Sequence, residues 1–487
     1  HQSERRQLLL DRHRHRIFIV FLEKKSFCRA VNEKLSDILA ADNLTLLDGL
    51  AMAEVEHNEA IGAAEPRLSE DEEEADQQPE TASSSEVLLV KEEAITKRPH
   101  SDDEEDDGEP SAKVLLKDPQ HTTVVASHYN QLKERGLYER SMSRIFYMRN
   151  FNNWIKSILI NRYLNKIREM AALGTPLRVM DMCCGKGGDL LKWSKGNITH
   201  LICTDIAAVS VEQCETRYKN IIQNDRGSGG GGRNSGQSGS TGKVFTAEFF
   251  AADATLQRLR EKYRDASVEL NLVSCQFAFH YCFESLRQAE FMLKNAAECL
   301  REGGYFIGTI PDANEIMKRQ RAAGSDTFGN DVYKITFLCD TEQPPLFGAK
   351  YNFQLDGVVD CPEFLVHFPT LTKLALKYGL RLVEKQRFDE FYSESVQSGR
   401  GLIEKMQALE TFPGQSRDER ERQQNLGEYS HAQSHLDQKG AGGGGGGRFH
   451  KVGTLSKSEW EASTLYMFFA FQKMKTSWDK NGKPIYS

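Results

Sequence analysis

The residues best suited to chemistry lie in one short segment, residues 179–189. An apolar run there contains the acidic Asp181 and leads into a turn of small residues, Cys183-Cys184-Gly185-Lys186-Gly187-Gly188. Glycine lets such a turn adopt positive φ and brings the backbone close to a ligand at the start of a helix. The turn fits the G-x-G-x-x-G pattern badly, because Cys183 takes the place of the first glycine, and no Walker A spacing follows. The segment therefore predicts a nucleotide-type site of a different kind.

Three aspartates are each expected at the end of one of three successive strands. Asp181 could attract the ammonium group of a bound amino acid, and Asp205 could accept two hydrogen bonds from a ribose diol. Asp253 could accept a hydrogen bond from an adenine amino group. The ordinary role of any one such aspartate is to cap the following helix. Three of them beside one glycine turn favour S-adenosylmethionine over NAD.

The segment 275–281 spans the end of the predicted fourth strand and the residues after it, and it places His280 and Tyr281 where a substrate would lie. The Asn/Asp-Pro-Pro-aromatic motif of many amino-nitrogen methyltransferases does not occur in this segment. The Pro-Cys or Thr-Cys nucleophile of cytosine-C5 enzymes is not found either, since only the reversed pair Cys361-Pro362 occurs. We therefore expect no covalent catalysis.

These residues need a scaffold that brings the strand ends together. Apolar runs predict alternating strands and helices, preceded by helical spacing over residues 138–170 and followed by mainly antiparallel strands after residue 330. Repeated β-α units with continuous apolar strands indicate a doubly wound, Rossmann-like α/β sheet with an added antiparallel and helical lid. The predicted strands are 177–182, 200–204, 244–251, 270–277, 305–310, 332–338, 350–355, 380–388 and 464–472, and the predicted helices are 189–194, 210–222, 256–263, 285–300, 314–321, 361–378 and 400–409.

Composition divides the 487 residues into a leader, a body and a tail. Residues 1–110 carry 28 acidic residues against 13 Lys and Arg, whereas residues 111–487 carry 42 against 50. We expect residues 1–115 to be a mostly disordered acidic leader, because they can bury little apolar surface. Residues 116–475 would form the folded domain, with flexible inserts at about 225–242 and 415–447, and residues 476–487 a tail. A basic body suits a polyanionic partner.

Neither a metal site nor a membrane-spanning segment is expected. Ten cysteines occur without any C-x-x-C pair or finger-spaced histidines, so they are interpreted as small core residues in a reducing compartment, and no metal site is predicted. The sequence also has no apolar run of membrane-spanning length, so no membrane partner is expected.

Long segments of the body, from about Ser127 to Met474, resemble eukaryotic mRNA cap guanine-N7 methyltransferases, which are class I S-adenosylmethionine-dependent enzymes. The resemblance is interrupted only by the two inserts. It is carried by Phe151-Asn152-Asn153-Trp154-Ile155-Lys156, Gly185-Lys186-Gly187-Gly188-Asp189-Leu190-Leu191-Lys192-Trp193, Thr204-Asp205-Ile206-Ala207, Gln276-Phe277-Ala278-Phe279-His280-Tyr281, Gly303-Gly304-Tyr305-Phe306-Ile307-Gly308-Thr309, Pro362-Glu363-Phe364-Leu365-Val366 and Gly453-Thr454-Leu455-Ser456-Lys457-Ser458-Glu459-Trp460.

This resemblance implies methyl transfer from S-adenosylmethionine to N7 of the 5′ guanosine cap of mRNA, in the nucleus and without a metal. It implies capped RNA as substrate, and it points to the capping machinery or RNA polymerase II and a small activating subunit as further partners. It assigns Lys156, Cys183, Asp205, Asp253, Gln276 and Tyr281 to the cofactor, and Asn152, Asn153, Lys186, Lys192, Arg217, His280, Glu363 and Tyr466 to the cap. Cys183 stands where the family has glycine, which implies weaker cofactor binding at worst.

Guanine N7 already presents a free lone pair, so no general base is required. Catalysis is expected to come from positioning, with His280, Tyr281 and Glu363 in that role. Pro362 predicts a helix that would place Glu363 in its first turn, where complementing the helix dipole is the ordinary role. Two alternatives stay open. One is methylation of another RNA nitrogen, against which Glu363 and the basic rim argue. The other is an inactive module that binds capped RNA, supported only by Cys183.

Overall fold

The computed structural model of the protein describes residues 120–131, 136, 139, 141–227, 245–441 and 451–487. The predicted acidic leader and most of the predicted insert at 225–242 lie outside these residues.

A seven-stranded sheet forms the centre of the described body. Its strand order is β10-β13-β5-β4-β1-β2-β3. Strands β1 to β5 pair in parallel, and β13 runs antiparallel between β5 and β10. This arrangement confirms the predicted doubly wound α/β fold with an antiparallel addition. The strands are β1 Arg178–Met182, β2 His200–Asp205, β3 Thr246–Ala251, β4 Leu270–Gln276, β5 Leu300–Pro311, β10 Leu380–Arg387 and β13 Tyr466–Lys473.

Both faces of this sheet are covered by apolar layers. The alternation of side chains along a strand shows this directly: Phe468 packs in the layer that contains Trp154, whereas its neighbour Phe469 packs in the layer that contains Phe306. All four side chains are fully buried. The helices are α1 Gln120–Gln131, α2 Phe146–Met170, α3 Leu190–Lys195, α4 Ala208–Gly227, α5 Leu286–Ala297, α6 Ala313–Ala323, α7 Phe368–Lys377, α8 Phe388–Ser395, α9 Arg400–Met406, α10 Arg417–Arg422, α11 Ser430–Ala441 and α12 Lys457–Ser463.

A second, four-stranded antiparallel sheet follows the central β-α units. It has the order β6-β7-β8-β9, with β6 Thr327–Gly329, β7 Tyr333–Phe337, β8 Lys350–Leu355 and β9 Val359–Phe364. The predicted helix over 361–378 is therefore wrong at its start. Residues 359–364 pair with β8 in register, Tyr351 opposite Glu363, and the helix begins only at Phe368, next to Pro369. Long-range strand pairing outweighs the local helix signal of Pro362.

Three other segments differ from the expectation. The stretch predicted as a helix over 256–263 is only a 3-10 turn, Leu259–Lys262. The insert predicted as flexible over 415–447 contains α10 and α11, and α10 is stabilised by a capping box between Ser416 and Glu419. The predicted tail forms a hairpin of β14 Thr476–Trp478 and β15 Pro484–Tyr486.

Short elements complete the described chain: the 3-10 turns Phe279–Glu284 and Leu426–Tyr429, and the strand pair β11 Glu410–Phe412 and β12 Val452–Thr454. No described helix combines the length and the apolar character needed to cross a bilayer.

Candidate active site

A cavity of about 300 Å³, which we call the cofactor cavity, opens at the carboxyl ends of the parallel strands. Parallel α/β sheets bind ligands at this edge because successive strand-helix turns converge there. The cavity brings together six of the seven residues predicted to bind the cofactor. These are Lys156, Cys183, Asp205, Asp253, Gln276 and Tyr281.

Asp205 ends β2 and is held by the glycine turn. Its Oδ2 accepts a hydrogen bond from the Gly185 backbone N–H at 2.8 Å, and its Oδ1 accepts from the Ala207 N–H at 2.9 Å. Burial raises the pKa of Asp205, although these backbone donors oppose the shift. Each oxygen has a second lone pair, so the carboxylate can still accept from a diol. Asp205 therefore both fixes the turn and faces the cavity.

Asp253 and Gln276 are also fixed by local hydrogen bonds. Asp253 Oδ1 accepts from the N–H of Thr255 at 2.8 Å and from its hydroxyl at 2.6 Å. The Gln276 amide donates to the Ser274 hydroxyl at 2.9 Å and accepts from the Thr309 hydroxyl at 3.2 Å. Both side chains are thus oriented before any ligand arrives, which lowers the entropic cost of binding.

Cys183 occupies the left-handed region, with φ of +62°. This conformation is the one that glycine adopts without cost, and it strains a residue that carries a Cβ by about 1–2 kcal/mol. A hydrogen bond with Cys275 and burial raise the pKa of the Cys183 thiol, so it stays protonated and unreactive. Gly187, at φ of +75°, would tolerate a side chain less well than position 183, because a Cβ there would lie 2.8 Å from the Cys214 sulfur.

Asp181 does not line the cavity. Strand β1 continues to Met182, so Asp181 is not the terminal residue of the strand, and its carboxylate accepts from the indole N–H of Trp193 at 2.9 Å. Burial raises its pKa well above the ordinary value, with Asp189 adding to the shift. The expectation that Asp181 meets the ammonium group of the cofactor is not supported by this placement.

Asp189 lines the cavity together with Asp205 and Asp253, although the sequence analysis did not single it out as a site residue. Its Oδ1 lies 2.8 Å from Lys156 Nζ and 2.7 Å from Lys192 Nζ. Burial alone would raise the pKa of Asp189, but the two ammonium groups outweigh it and hold that pKa well below its ordinary value. The sequence feature that could have identified Asp189 is its position directly after the glycines, at the N-cap of α3.

A second cavity, of about 380 Å³, adjoins the first. We call it the cap cavity, because five residues that the resemblance assigned to the cap line it. These are Asn152, Asn153, Lys186, Glu363 and Tyr466. Six residues border both cavities: Tyr129, Lys156, Gly185, Ser210, Phe277 and Tyr281. The two spaces therefore meet at a common wall.

Glu363 is the acid of the cap cavity and is only 3% exposed. Its Oε2 accepts a hydrogen bond from the Tyr351 hydroxyl at 2.8 Å. Its Oε1 lies 3.3 Å from His280 Nε2, although neither ring nitrogen of His280 makes a well-formed hydrogen bond to a described residue. His280 does not line the cap cavity itself; it supports Glu363 from behind, on the 3-10 turn after β4.

Aromatic rings form one side of the cap cavity. The Phe277 and Tyr466 rings meet edge to face, with centroids 5.0 Å apart. Burial raises the pKa of the Tyr466 hydroxyl, so it is neutral. Asn152 adds a side-chain carbonyl oxygen that is buried and has no hydrogen-bond partner among the described residues. Ring faces and an amide acceptor suit a flat heterocycle with polar edges.

Tyr129 of α1 is a site residue that the sequence analysis missed. It borders both cavities, and its hydroxyl lies 3.2 Å from that of Tyr281. Thr122 and Val125 of the same helix line the cofactor cavity. The helix thus forms part of the cavity wall, and its weak apolar pattern gave no sign of this role.

Two of the basic residues assigned to the cap lie outside the cap cavity. Lys192 pairs with Asp189 and also donates to Asn153 Oδ1 at 3.2 Å, and burial lowers its pKa. Arg217 lies on α4 and lines neither cavity.

The fold also gathers three cysteines that are far apart in sequence. The sulfur atoms of Cys184, Cys203 and Cys214 all lie within 4.8 Å of one another, in the buried layer beneath the glycine turn. Three sulfur donors are one fewer than the four protein ligands of a structural zinc site. All nine cysteines of the described residues are free thiols, and seven of them are buried.

Comparison with known proteins agrees with this geometry. Residues 115–474 match the sequence model of the mRNA (guanine-N(7))-methyltransferase domain. The chain is 56% identical over 368 residues to the mRNA cap guanine-N(7) methyltransferase of Drosophila melanogaster, covering 75% of this chain and 80% of the relative. It is 39% identical over 360 residues to the enzyme of the same name from Caenorhabditis elegans, covering 73% and 88%.

A crystal structure of an S-adenosylmethionine-dependent methyltransferase from Clostridium acetobutylicum aligns with 49% of this chain and 83% of its own, at a TM-score of 0.32 and 14% identity. The match to the domain model and the long alignments with these two relatives show the family. The chain belongs to the mRNA (guanine-N(7))-methyltransferase family.

Proposed function

We propose that this protein transfers a methyl group from S-adenosylmethionine to N7 of the guanosine cap of mRNA, with the two adjoining cavities as its reaction site. The observation that supports it most is the common wall of six residues between the cofactor cavity and the cap cavity. A methyl donor in one cavity and a guanine in the other would meet across that wall.

The residues of the first cavity suit the donor. Asp205 supplies two fixed acceptors for a ribose diol, and Asp253 supplies an acceptor for an amino group. Lys156 and Lys192 already pair with Asp189, so this cluster offers a positive charge, and Lys156 suits the carboxylate of the methionine portion. The glycine turn leaves room for backbone contact, since a Cβ at Gly185 or Gly188 would meet no atom within 4 Å.

The residues of the cap cavity suit guanine. Glu363 presents a buried carboxylate that can accept from the N1–H and the 2-amino group together. The rings of Phe277 and Tyr466 offer apolar surface to the purine, and Lys186 places a positive charge beside the triphosphate. His280 and Tyr351 hold the carboxylate in place.

The sulfonium of S-adenosylmethionine supplies an activated methyl group, and guanine N7 needs no deprotonation. The side chains at the common wall act by placement. Burial raises the pKa of Tyr281 well above its ordinary value, so its phenol is neutral at physiological pH and cannot serve as a base. Holding two reactants in line can supply roughly 7–11 kcal/mol of a barrier. The arrangement therefore favours catalysis by orientation and by the electrostatic surroundings of the sulfonium.

The test is incubation of the protein with methyl-labelled S-adenosylmethionine and GpppG-ended RNA, followed by cap digestion. The expected product is labelled N7-methylguanosine in the released cap. Label on an internal base, or on the cap at another position, would contradict the proposal.

We propose the nucleus as the site of action, with the capping machinery or RNA polymerase II and a small activating subunit as partners. The support is membership of an mRNA cap-methylating family, because capping acts on nascent transcripts. Imaging of a fluorescent fusion and purification of the tagged full chain from nuclear extract test these two statements. A fusion confined to the cytoplasm would contradict the first.

A further inference from the structure

A third cavity, of about 440 Å³, adjoins the two described above. It shares Asn153 with the cap cavity and Gly188 with the cofactor cavity. Its walls come from three helices: α2, α3 and α9. The third cavity therefore borders the reaction site.

The charged residues that line this third cavity are all lysines. Lys192, Lys195 and Lys405 line it, and none of its described lining residues is acidic. Lys195 and Lys405 are exposed, one on α3 and the other on α9. Lys192 is bound to Asn153 Oδ1, the residue where the third cavity and the cap cavity meet. An anion that leaves the cap cavity along Asn153 would thus pass Lys192 and then reach two further ammonium groups.

The same walls carry exposed apolar surface. Leu191 is 57% exposed although it belongs to a helix whose other face is buried. Met406 and the half-buried Leu402 also line the cavity. Apolar side chains ringed by lysines suit an occupant that is flat and apolar on its faces and anionic along its backbone. A nucleotide has this combination.

We propose that this cavity receives the first transcribed nucleotide of the capped RNA. The proposal rests on the proposed function, because the 5′-5′ triphosphate bridge is what links this nucleotide to the guanosine in the cap cavity. Lys192 faces the bridge, Lys195 and Lys405 face the phosphate that follows, and the base lies on Leu191 and Met406. The protein would then recognise capped RNA beyond the cap itself, by charge and stacking and without a fixed sequence.

The experiment measures the binding of three ligands, GTP, GpppG and a short GpppG-ended RNA, by competition against labelled capped RNA. GTP contains the guanosine and the triphosphate but no nucleotide beyond them. We expect the wild-type protein to bind GpppG more tightly than GTP and the RNA more tightly still. In the Lys195→Glu/Lys405→Glu double variant, binding of the RNA should weaken about three- to tenfold, while GTP binding stays within twofold.

Salt dependence provides a second measurement on the same proteins. The slope of log affinity against log salt concentration should fall by about 0.7 for each phosphate contact that is lost, and only for the RNA. The matched control is Lys334→Glu/Lys373→Glu, which reverses two exposed lysines that line none of the three cavities. It should leave all three affinities and the slope unchanged.

Photocrosslinking locates the first transcribed nucleotide on the protein without the use of variants. A capped RNA with a photoreactive base at its first transcribed position should crosslink to peptides containing 191–195 or 402–406. Crosslinks elsewhere, or an unchanged RNA affinity in the double variant, would overturn the proposal. If the wild-type protein methylates GpppG-RNA in either case, the proposed function stands and only the nucleotide site fails.

Discussion

Oε1 of Glu363 lies 3.3 Å from Nε2 of His280, and both side chains are almost fully buried. The two residues come from different sheets. Glu363 lies on β9 of the antiparallel sheet, and His280 lies on the turn after β4 of the central sheet. The acid of the cap cavity is therefore positioned by a contact between the α/β core and its addition. A change that weakens this contact should therefore affect guanine binding first.

The Glu363→Gln variant tests the guanine-reading role. Gln replaces one acceptor by a donor, so one of the two guanine donors would face another donor. We expect a loss of about 1–3 kcal/mol in transition-state binding, which corresponds to a fall of about 5- to 150-fold in kcat/KM with GpppG-RNA. Cofactor affinity should stay the same.

Asp360→Asn is the matched control for this variant. Asp360 also lies on β9, but it is exposed, and its carboxylate accepts hydrogen bonds from Asn352 and Gln354. Its replacement should leave kcat/KM unchanged. A Glu363→Gln enzyme within twofold of wild type would leave the guanine-reading role without support.

The cofactor site is tested by Asp205→Asn. The amide keeps one acceptor oxygen but has lost the charge and the second acceptor oxygen, so both the ribose contact and the Gly185 turn should weaken. We expect S-adenosylmethionine affinity, measured by calorimetry, to fall by about 1–3 kcal/mol. Asp265→Asn is the control, because Asp265 makes a similar local turn with Ser267 on the exposed surface. Equal affinities in the two variants would refute the assignment.

The strained turn is tested by Cys183→Gly. Glycine adopts φ of +62° without the Cβ conflict, and its extra unfolded-state entropy offsets part of the gain. We expect the free energy of unfolding to rise by up to about 1 kcal/mol, measured by denaturant titration, with cofactor affinity equal or higher. A less stable Cys183→Gly protein would show that the thiol contact with Cys275 outweighs the backbone strain.

The pH dependence of stability is tested at Glu459. Burial raises its pKa to about 7, although Glu459 accepts hydrogen bonds from Ser456 and from the Met148 N–H. Between pH 4.5 and 7 the unfolded chain has released this proton and the folded chain retains it, so stability falls as pH rises. The loss reaches roughly 3 kcal/mol above pH 7.

The Glu459→Gln variant removes this titration. Relative to wild type, the variant should gain stability progressively from pH 4.5 to 7 and no further beyond that range. Thermal melts over this pH range measure the difference. A constant difference between the two proteins would show that Glu459 is ionised in the folded state throughout.

Two truncations test the role of the N-terminal segment. Deletion of residues 1–115 should leave methylation of free capped RNA nearly intact, because a solvated acidic segment is not expected to take part in the reaction site. Deletion of residues 1–131 also removes α1, with Thr122, Val125 and Tyr129 of the cofactor cavity. We expect this longer deletion to raise the KM for S-adenosylmethionine at least about tenfold. Similar kinetics for the two proteins would show that α1 is dispensable.

The sheet could be predicted from the sequence because its strands are buried on both faces and appear as continuous apolar runs. The strand over 361–364 could not be predicted from the sequence, since Pro362 followed by polar and apolar residues resembles the start of a helix. Only pairing with β8, across a turn, makes it a strand. Glu363 was still identified as a site residue, because the resemblance depends on residue identity rather than on local conformation.

Site residues were missed or misplaced where their role depends on contacts between distant segments. Asp189 meets Lys156 only because α2 passes over the glycine turn, 33 residues away along the chain. Asp181 was predicted to end β1, but the strand continues to Met182. The Asp181 carboxylate accepts a hydrogen bond from the Trp193 indole and does not line the cofactor cavity. The three clustered cysteines follow no spacing rule, since three different elements bring them together.

The common wall between the cofactor cavity and the cap cavity implies that the two ligands bind cooperatively. The same side chains line both cavities, among them Lys156, Phe277 and Tyr281, so a ligand that orders them on binding would lower the entropic cost for the second ligand. By thermodynamic linkage, the factor by which the cofactor strengthens RNA binding equals the factor by which RNA strengthens cofactor binding. The demethylated coproduct keeps the ribose and adenine contacts, and it should therefore retain most of this coupling. Its departure, rather than methyl transfer, would then set how long an mRNA end remains on the enzyme.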